Sequence, residues 1–320
     1  MSLLTLLPFL SITIDIDPVM FDAGPFTLTW HGLFTAVGIL CGVTLSVWLC
    51  KKDGIPTETG QEIALVAVPC AIIGARLFYV FEHWDRFEND IPSIITDIQE
   101  GGITLYGGLI GGVVGGLAYG LIRRLPIAIC LDAAAPGMIL GQALGRIGDL
   151  INGEHLADRT SLPWGVKYVH PDSPQYKVFE DSRRVGGDLA PLDSFPVHPT
   201  AGGYELLGDL IILGLLLYVA RRWVKTPGWT FAIYMALYGV LRFALSFTRN
   251  DEQKIADIPV PMLVSALVVG GAMMVAAALY RWPGPITREY AERVWGHRSD
   301  PDNSPDDAAP PPRRRGPART

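Results

Sequence analysis

Charged residues are scarce in this chain. Only 18% of its 320 residues are Asp, Glu, Lys or Arg, where a soluble domain carries about 25%. With 49% hydrophobic residues beside that deficit, the solvent of the fold is lipid rather than water. Cysteine is scarce too. Cys41, Cys50, Cys70 and Cys130 lie in or beside apolar runs without CxxC spacing, which argues against disulfides and thiolate metal sites and for small buried side chains. The apolar start, Leu3 to Ile14, lacks a basic n-region and an A-x-A cleavage site, so it does not read as a signal peptide. The net charge of -6 decides little, because orientation in a membrane depends on the position of Lys and Arg rather than their sum.

What the chain does have is long apolar runs. A hydrocarbon core of ~30 Å takes about 20 helical residues. Windows of that length give seven candidate spans, at roughly 28–50, 61–81, 106–122, 127–148, 203–220, 229–248 and 260–280. The expected fold class is therefore an all-α membrane protein of about seven transmembrane helices. Basic residues come after the odd-numbered spans: Lys51 and Lys52, Arg123 and Arg124, Arg221, Arg222 and Lys225, then Arg281 onward. The positive-inside rule puts those loops in the cytoplasm, the N-terminus outside and the C-terminus inside. Segment 82–105, acidic with Glu82, Asp85, Glu88, Asp90, Asp97 and Glu100, suits an outside loop.

These spans set the domain layout. Residues 1–27 form an extracytoplasmic arm, 28–148 the first four helices, 149–202 a small extracytoplasmic cap, and 203–282 the last three helices. The cap is too long for a bare connection. Residues 283–320, with Pro310-Pro311-Pro312 and Arg313-Arg314-Arg315, read as a cytoplasmic, largely disordered tail.

Ionisable groups at membrane depth are expensive and tend to face cavities or sites. Arg76 lies in the second span, Arg146 and Asp149 end the fourth, and Arg242 lies in the sixth with Arg249 beyond it. Arg146 and Asp149, three apart, share a helix face. Glycines at 141, 145 and 148 thin that face, so that a backbone or a lipid headgroup can approach. Two roles are open for the pair: mutual neutralisation, or a guanidinium fork for a phosphate. Three buried arginines outnumber the nearby acids, which tilts the balance toward anion binding. Tyr106, flanked by Gly107 and Gly108, is either an interface anchor or a group that bonds a phosphate or helps move a proton. His31, in Trp30-His31-Gly32, is either an interface histidine or a base.

Together these segments resemble the prolipoprotein diacylglyceryl transferase family, from about Asp17 to Arg249. The resemblance is carried by Asp17-Pro18-Val19 with Gly24-Pro25, Arg76-Leu77-Phe78-Tyr79-Val80, and Gly101-Gly102 through Gly111. Gly145-Arg146-Ile-Gly-Asp149-Leu-Ile-Asn152-Gly153-Glu154 is its most specific stretch. His198-Pro199-Thr200 with Tyr204-Glu205, and Arg242-Phe243 with Phe247-Thr248-Arg249, complete it. The resemblance implies an enzyme of the bacterial plasma membrane. It would move a diacylglyceryl group from phosphatidylglycerol to the lipobox cysteine of preprolipoprotein signal peptides, making a thioether and releasing glycerol phosphate. Arg146 and Arg242 match the family's essential arginines. Arg76, Asp149, Asn152, Glu154, Gly107, Gly108 and Arg249 fall at positions that would hold the substrate. His31 and Tyr106 are the remaining catalytic candidates. No metal, organic cofactor or nucleic-acid partner is called for. The alternatives are a divergent paralogue with another lipid donor or acceptor, and an anionic-substrate transporter.

The chain departs from the family pattern at identifiable places. The pattern most often has His where Tyr106 stands and Tyr where His31 stands, an exchange that keeps one imidazole and one phenol. Asp149 replaces an Asn and Ser246 a Glu. The His-Pro-Thr element is one residue longer, through Ala201-Gly202-Gly203. The expectation drawn from the exchange is that His31 takes the base role.

Overall fold

A computed structural model describes residues 11–24, 26–88, 90–96, 104–155, 157–177, 196–224, 226–249, 254–255 and 258–281, with 287, 289, 290 and 292. The middle of the expected cap (178–195) and nearly all of the expected tail lie outside the described residues.

Helix α1 (Trp30–Lys52) starts where Thr29 accepts the Gly32 N–H and ends on Lys51 and Lys52, a side-chain cap and cations suited to the two ends of the helix dipole. Next come α2 (Thr57–Glu82), the short α3 (Trp84–Phe87) and α4 (Ser93–Thr96), α5 (Leu105–Ile122) and α6 (Ile127–Asn152). The last three are α7 (Gly202–Trp223), α8 (Trp229–Leu245) and α9 (Val260–Arg281). Six of these are long and apolar enough to cross a membrane, while α5 contributes a shorter apolar stretch, Ile110–Ile122. The expected seven spans are thus six long helices and one short one among the described residues. Large apolar side chains such as Leu40, Leu65, Phe81, Trp223 and Leu267 point outward, a surface suited to lipid.

Small residues pair the helices. A Cβ on Gly38 would lie 2.6 Å from the Gly141 carbonyl oxygen, and one on Gly141 would lie 3.1 Å from the Gly38 oxygen. Helices α1 and α6 therefore touch backbone to backbone, the packing that lipid-embedded helices use without a hydrophobic drive between them. Helices α2 and α5 meet the same way, with Cys70 packed against Gly111 and Gly115.

At the end of the bundle where α1 finishes, polar groups lock four helices. The Arg221 guanidinium donates to Asp53 Oδ2 at 2.6 Å and to the Asp132 carbonyl at 3.1 Å. The Asp132 carboxylate accepts the N–H groups of Gly228 (2.6 Å) and Phe231 (2.8 Å). One helix thereby caps the orphan donors at the start of another.

The opposite end carries the β structure. Strand β1 (Ile12–Ile14) pairs in parallel with β4 (Val166–Tyr168), while β2 (Val19–Ala23) and β3 (Phe26–Thr29) form a hairpin that feeds α1. The N-terminal arm is thus stitched to the segment after α6. That segment's first expected residues, from Asp149 to Asn152, are still the last turn of α6.

A π-helical turn, Thr200–Glu205, leads into α7, and in it the Tyr204 N–H reaches the Pro199 carbonyl at 2.9 Å. A π turn holds one residue more than an α turn, so the chain between Pro199 and Glu205 is wound more widely than an α-helix.

Candidate functional site

At the end where α1 begins, Gly148 brings two helices into contact. A Cβ there would lie 2.6 Å from His31 Cα and 3.0 Å from the Trp30 carbonyl oxygen. His31, in the first turn of α1, therefore sits directly against the last turns of α6. Its Nδ1 lies 2.6 Å from Asp149 Oδ1. The other Asp149 oxygen accepts from Arg146 Nη1 at 2.6 Å, and Arg146 Nη2 donates to Glu205 Oε1 at 2.8 Å. The Tyr238 hydroxyl, on α8, donates to the same Glu205 oxygen at 3.2 Å.

Four helices thus meet at one guanidinium. Its side chain is 12% exposed, that of Asp149 2%, and that of Glu205 0%. A buried ion pair offsets its desolvation only with near-complete bonding. A planar fork bridging two carboxylates provides that, whereas a single ammonium does not.

Gly153 shapes the rest. It takes the left-handed conformation (φ 70°) just past the end of α6, with its N–H on the Asp149 carbonyl at 3.0 Å, the usual glycine terminus. The turn folds Glu154 back over the helix. Its Oε1 accepts from Asn152 Nδ2 at 2.8 Å and its Oε2 lies 3.4 Å from His31 Nδ1. Asn152 is buried at 2% exposure. Tyr168 closes the turn by donating to the Leu150 carbonyl at 2.8 Å, and burial raises its phenol well above the ordinary tyrosine range, so it stays a donor.

His155 comes next, with a positive φ of 63°, a conformation that costs a non-glycine residue roughly 1–3 kcal/mol and clusters at functional sites. Its Nδ1 takes Arg249 Nη2 at 2.7 Å, and its Nε2 lies 3.6 Å from Asp149 Oδ2. Arg249 is so connected to the cluster through an imidazole.

The structure brings His31, Arg146, Asp149, Asn152 and Glu154 into one network, with Arg249 joined through His155. Arg242 lies on α8 one turn beyond Tyr238. The Ser246 hydroxyl donates back to the Arg242 carbonyl at 3.2 Å. Tyr106 is in the first turn of α5, and its side chain lies outside the described residues.

Three further expected site residues make contacts of another kind. Arg76 is buried against carbonyls, with Nε on Ile94 (2.9 Å) and Nη2 on Ser93 (3.3 Å), where it satisfies backbone groups of α4. Gly107 is packed into the α2–α5 seam, its Cα hydrogen facing Gly74, Ala75 and Phe78. Gly108 lies beside it, where an added Cβ would be 3.5 Å from Ala75 Cβ. Their small size serves helix contact.

Sequence reading also underrated the acids. Arg146 has two carboxylates, and the second, Glu205, comes from a helix 59 residues away. Glu205 and Asp209 are both fully buried in α7. The rule that singled out the arginines, charge at membrane depth, finds these acids when applied to that span. His31 Nδ1, Asp149 and Glu154 offer donor atoms within 4.8 Å of one another, as do Asp17, His170 and Asp172. In the first set, Asp149 is already neutralised by Arg146 on its other oxygen.

Long apolar helices around a carboxylate-clamped arginine, with an imidazole beside it, define an integral membrane protein with a buried ionic cluster at one end of the bundle. The sequence profile described as prolipoprotein diacylglyceryl transferase matches residues 18–278. A protein of Finegoldia magna named phosphatidylglycerol--prolipoprotein diacylglyceryl transferase is 34% identical over 259 residues, covering 81% of this chain and 94% of its own. Proteins of the same name from Trichormus variabilis (30% over 285 residues; 88% and 95%) and Corynebacterium efficiens (34% over 242 residues; 73% of each) are also similar. The chain belongs to the prolipoprotein diacylglyceryl transferase family.

Proposed function

We propose that this protein transfers the diacylglyceryl group of phosphatidylglycerol to the cysteine thiol of prolipoproteins, the first step of lipoprotein maturation. The observation that carries the reading is the Arg146 centre, a buried guanidinium held by Asp149 and Glu205 at 2.6 and 2.8 Å in a chain of this family. Arg146 and Arg242 bind the donor's phosphodiester, and Arg249 adds charge at the rim. Asn152 and Glu154 orient the glycerol headgroup.

The thiol S–H bond breaks as His31 Nε2 takes the proton. Sulfur then bonds to the diacylglyceryl carbon, and the C–O bond to phosphate breaks. The electron pair leaves on the phosphate oxygen, so the leaving group is glycerol phosphate. Positive groups fixed where that charge develops lower the barrier without reorganising. A thiol with a pKa near 8.5 gains from a neighbouring base. In this reading the site end faces outward from a bacterial plasma membrane, where the signal peptides emerge. The N-terminus is then outside and the C-terminus cytoplasmic, which agrees with the basic residues at the other end of the bundle.

Complementation of a strain depleted of its own diacylglyceryl transferase tests this, read as the mobility shift of a prolipoprotein reporter. Rescue that vanishes in Arg146→Ala and His31→Ala is the expected result. No rescue from well-inserted protein overturns the assignment of donor or acceptor.

A further inference from the structure

We infer that Asp149 is the positioning residue of the base: it pins the proton of His31 on Nδ1, so that Nε2 presents its lone pair to the thiol. The inference deepens the reading of His31 as the base and rests on it. A neutral imidazole carries its proton on one nitrogen, and whichever nitrogen meets a carboxylate must be the N–H. Nδ1 meets two carboxylates, Asp149 Oδ1 at 2.6 Å and Glu154 Oε2 at 3.4 Å. On the other side of the ring, among the described residues, Nε2 meets only the Thr35 hydroxyl, at 3.5 Å, too long for a firm bond and replaceable by an incoming S–H.

The carboxylate is itself held. Its second oxygen accepts from Arg146 at 2.6 Å and its side chain is 2% exposed, so it cannot turn away from the ring. The backbone is arranged to the same end, because only glycine at 148 lets His31 come this close. The 41% exposure of the His31 side chain leaves its outer edge open to a substrate. When the proton arrives on Nε2, Asp149 also stabilises the imidazolium, and the proton then leaves to water.

Asp149→Asn is a sharp perturbation. Arg146 donates, so the amide oxygen turns to Arg146 and the amide NH2 turns to the ring. Nδ1 must then accept, the proton moves to Nε2, and the base is lost although the shape is kept. A wrong tautomer of this kind lowers kcat by roughly 10²–10⁴-fold in His–Asp pairs.

The experiment uses the full chain in vesicles containing phosphatidylglycerol, with a lipobox peptide as acceptor. Native protein, Asp149→Asn, His31→Ala and the double variant are compared. Asp149→Asn is expected to lower kcat about 100-fold or more, with KM for phosphatidylglycerol within a few-fold. In the His31→Ala background it is expected to cost less than about three-fold, because it then has no base to orient. An equal cost in both backgrounds overturns the proposal, since Asp149 would then act through Arg146 or the fold. So does a single variant with near-native kcat. Undiminished transfer by His31→Ala overturns the base reading and this proposal with it.

Nitrogen NMR of ¹⁵N-histidine-labelled protein reads the tautomer without any turnover. Nδ1–H in the native chain and Nε2–H in Asp149→Asn is the expected pair. An unchanged tautomer overturns the proposal even if transfer is confirmed, and the expected switch in a protein without transfer overturns only the assigned substrates.

Discussion

Gly148→Ala places one methyl group where the structure has room for none. The new Cβ would lie 2.6 Å from His31 Cα, 3.0 Å from the Trp30 oxygen and 3.1 Å from the His31 nitrogen. Carbon atoms rest at about 3.5–4.0 Å, so α1 must withdraw by about 1 Å. The three neighbours are backbone atoms and have no rotamer to yield. The His31–Asp149 contact, 2.6 Å in the native chain, then opens beyond the range of a firm hydrogen bond. A misplacement of about 1 Å costs roughly 100-fold in rate, and overpacking costs about 1–3 kcal/mol of stability. Single-turnover transfer to a lipobox peptide in vesicles, beside thermal unfolding in the same lipid, measures both. Gly214→Ala, with nothing within 4 Å of its added Cβ, is the matched control and should be neutral. Transfer within three-fold of native by a Gly148→Ala protein of native stability refutes the reasoning, because it means that the helices repack without consequence at the site.

Arg146→Lys keeps the charge but cannot bridge Asp149 and Glu205 with one nitrogen, so transfer should fall by about 100-fold or more in the same vesicle assay. Arg76→Ala removes the donors to the Ile94 and Ser93 carbonyls. It should lower stability by about 1–3 kcal/mol while kcat at permissive temperature stays within a few-fold, which thermal melts and initial rates check. Asp132→Asn sets an amide NH2 against one of the two N–H groups that the carboxylate now accepts. A loss of about 1–2 kcal/mol with unchanged kcat is the expected result, again from melts and rates.

The spans were legible because lipid demands length and apolarity together, and both are local. Arg146 with Asp149 was legible as well, since helical spacing alone puts them on one face. What could not be read was the pairing across helices. His31 and Asp149 are 118 residues apart, and nothing in either segment states that their ends coincide. Gly148 was legible as a thin place in α6, but the backbone that fills it belongs to α1. Arg76 was legible as a buried guanidinium, but its carbonyl partners on a short helix 17 and 18 residues away were not. Gly107 and Gly108 were legible as small residues, but the α2 backbone that one of them meets was not. The reciprocal exchange of His31 and Tyr106 stays half visible: the imidazole is in the network, and the phenol's side chain is outside the described residues.

The π turn at the start of α7 has a consequence for chain length. Each residue of an α-helix turns the chain by about 100°, so deleting one from Ala201 to Gly203 under strict α geometry would rotate the His-Pro-Thr segment against the body of α7. The wide turn acts as slack taken up on one side of the helix. Tyr204, whose hydroxyl holds the Trp164 indole at 2.8 Å, and Glu205, which holds Arg146, keep their separate directions despite being neighbours. A shortened chain that relaxes to α-helix can keep one of these bearings but not both, so the wide turn is an angular spacer between two neighbouring side chains.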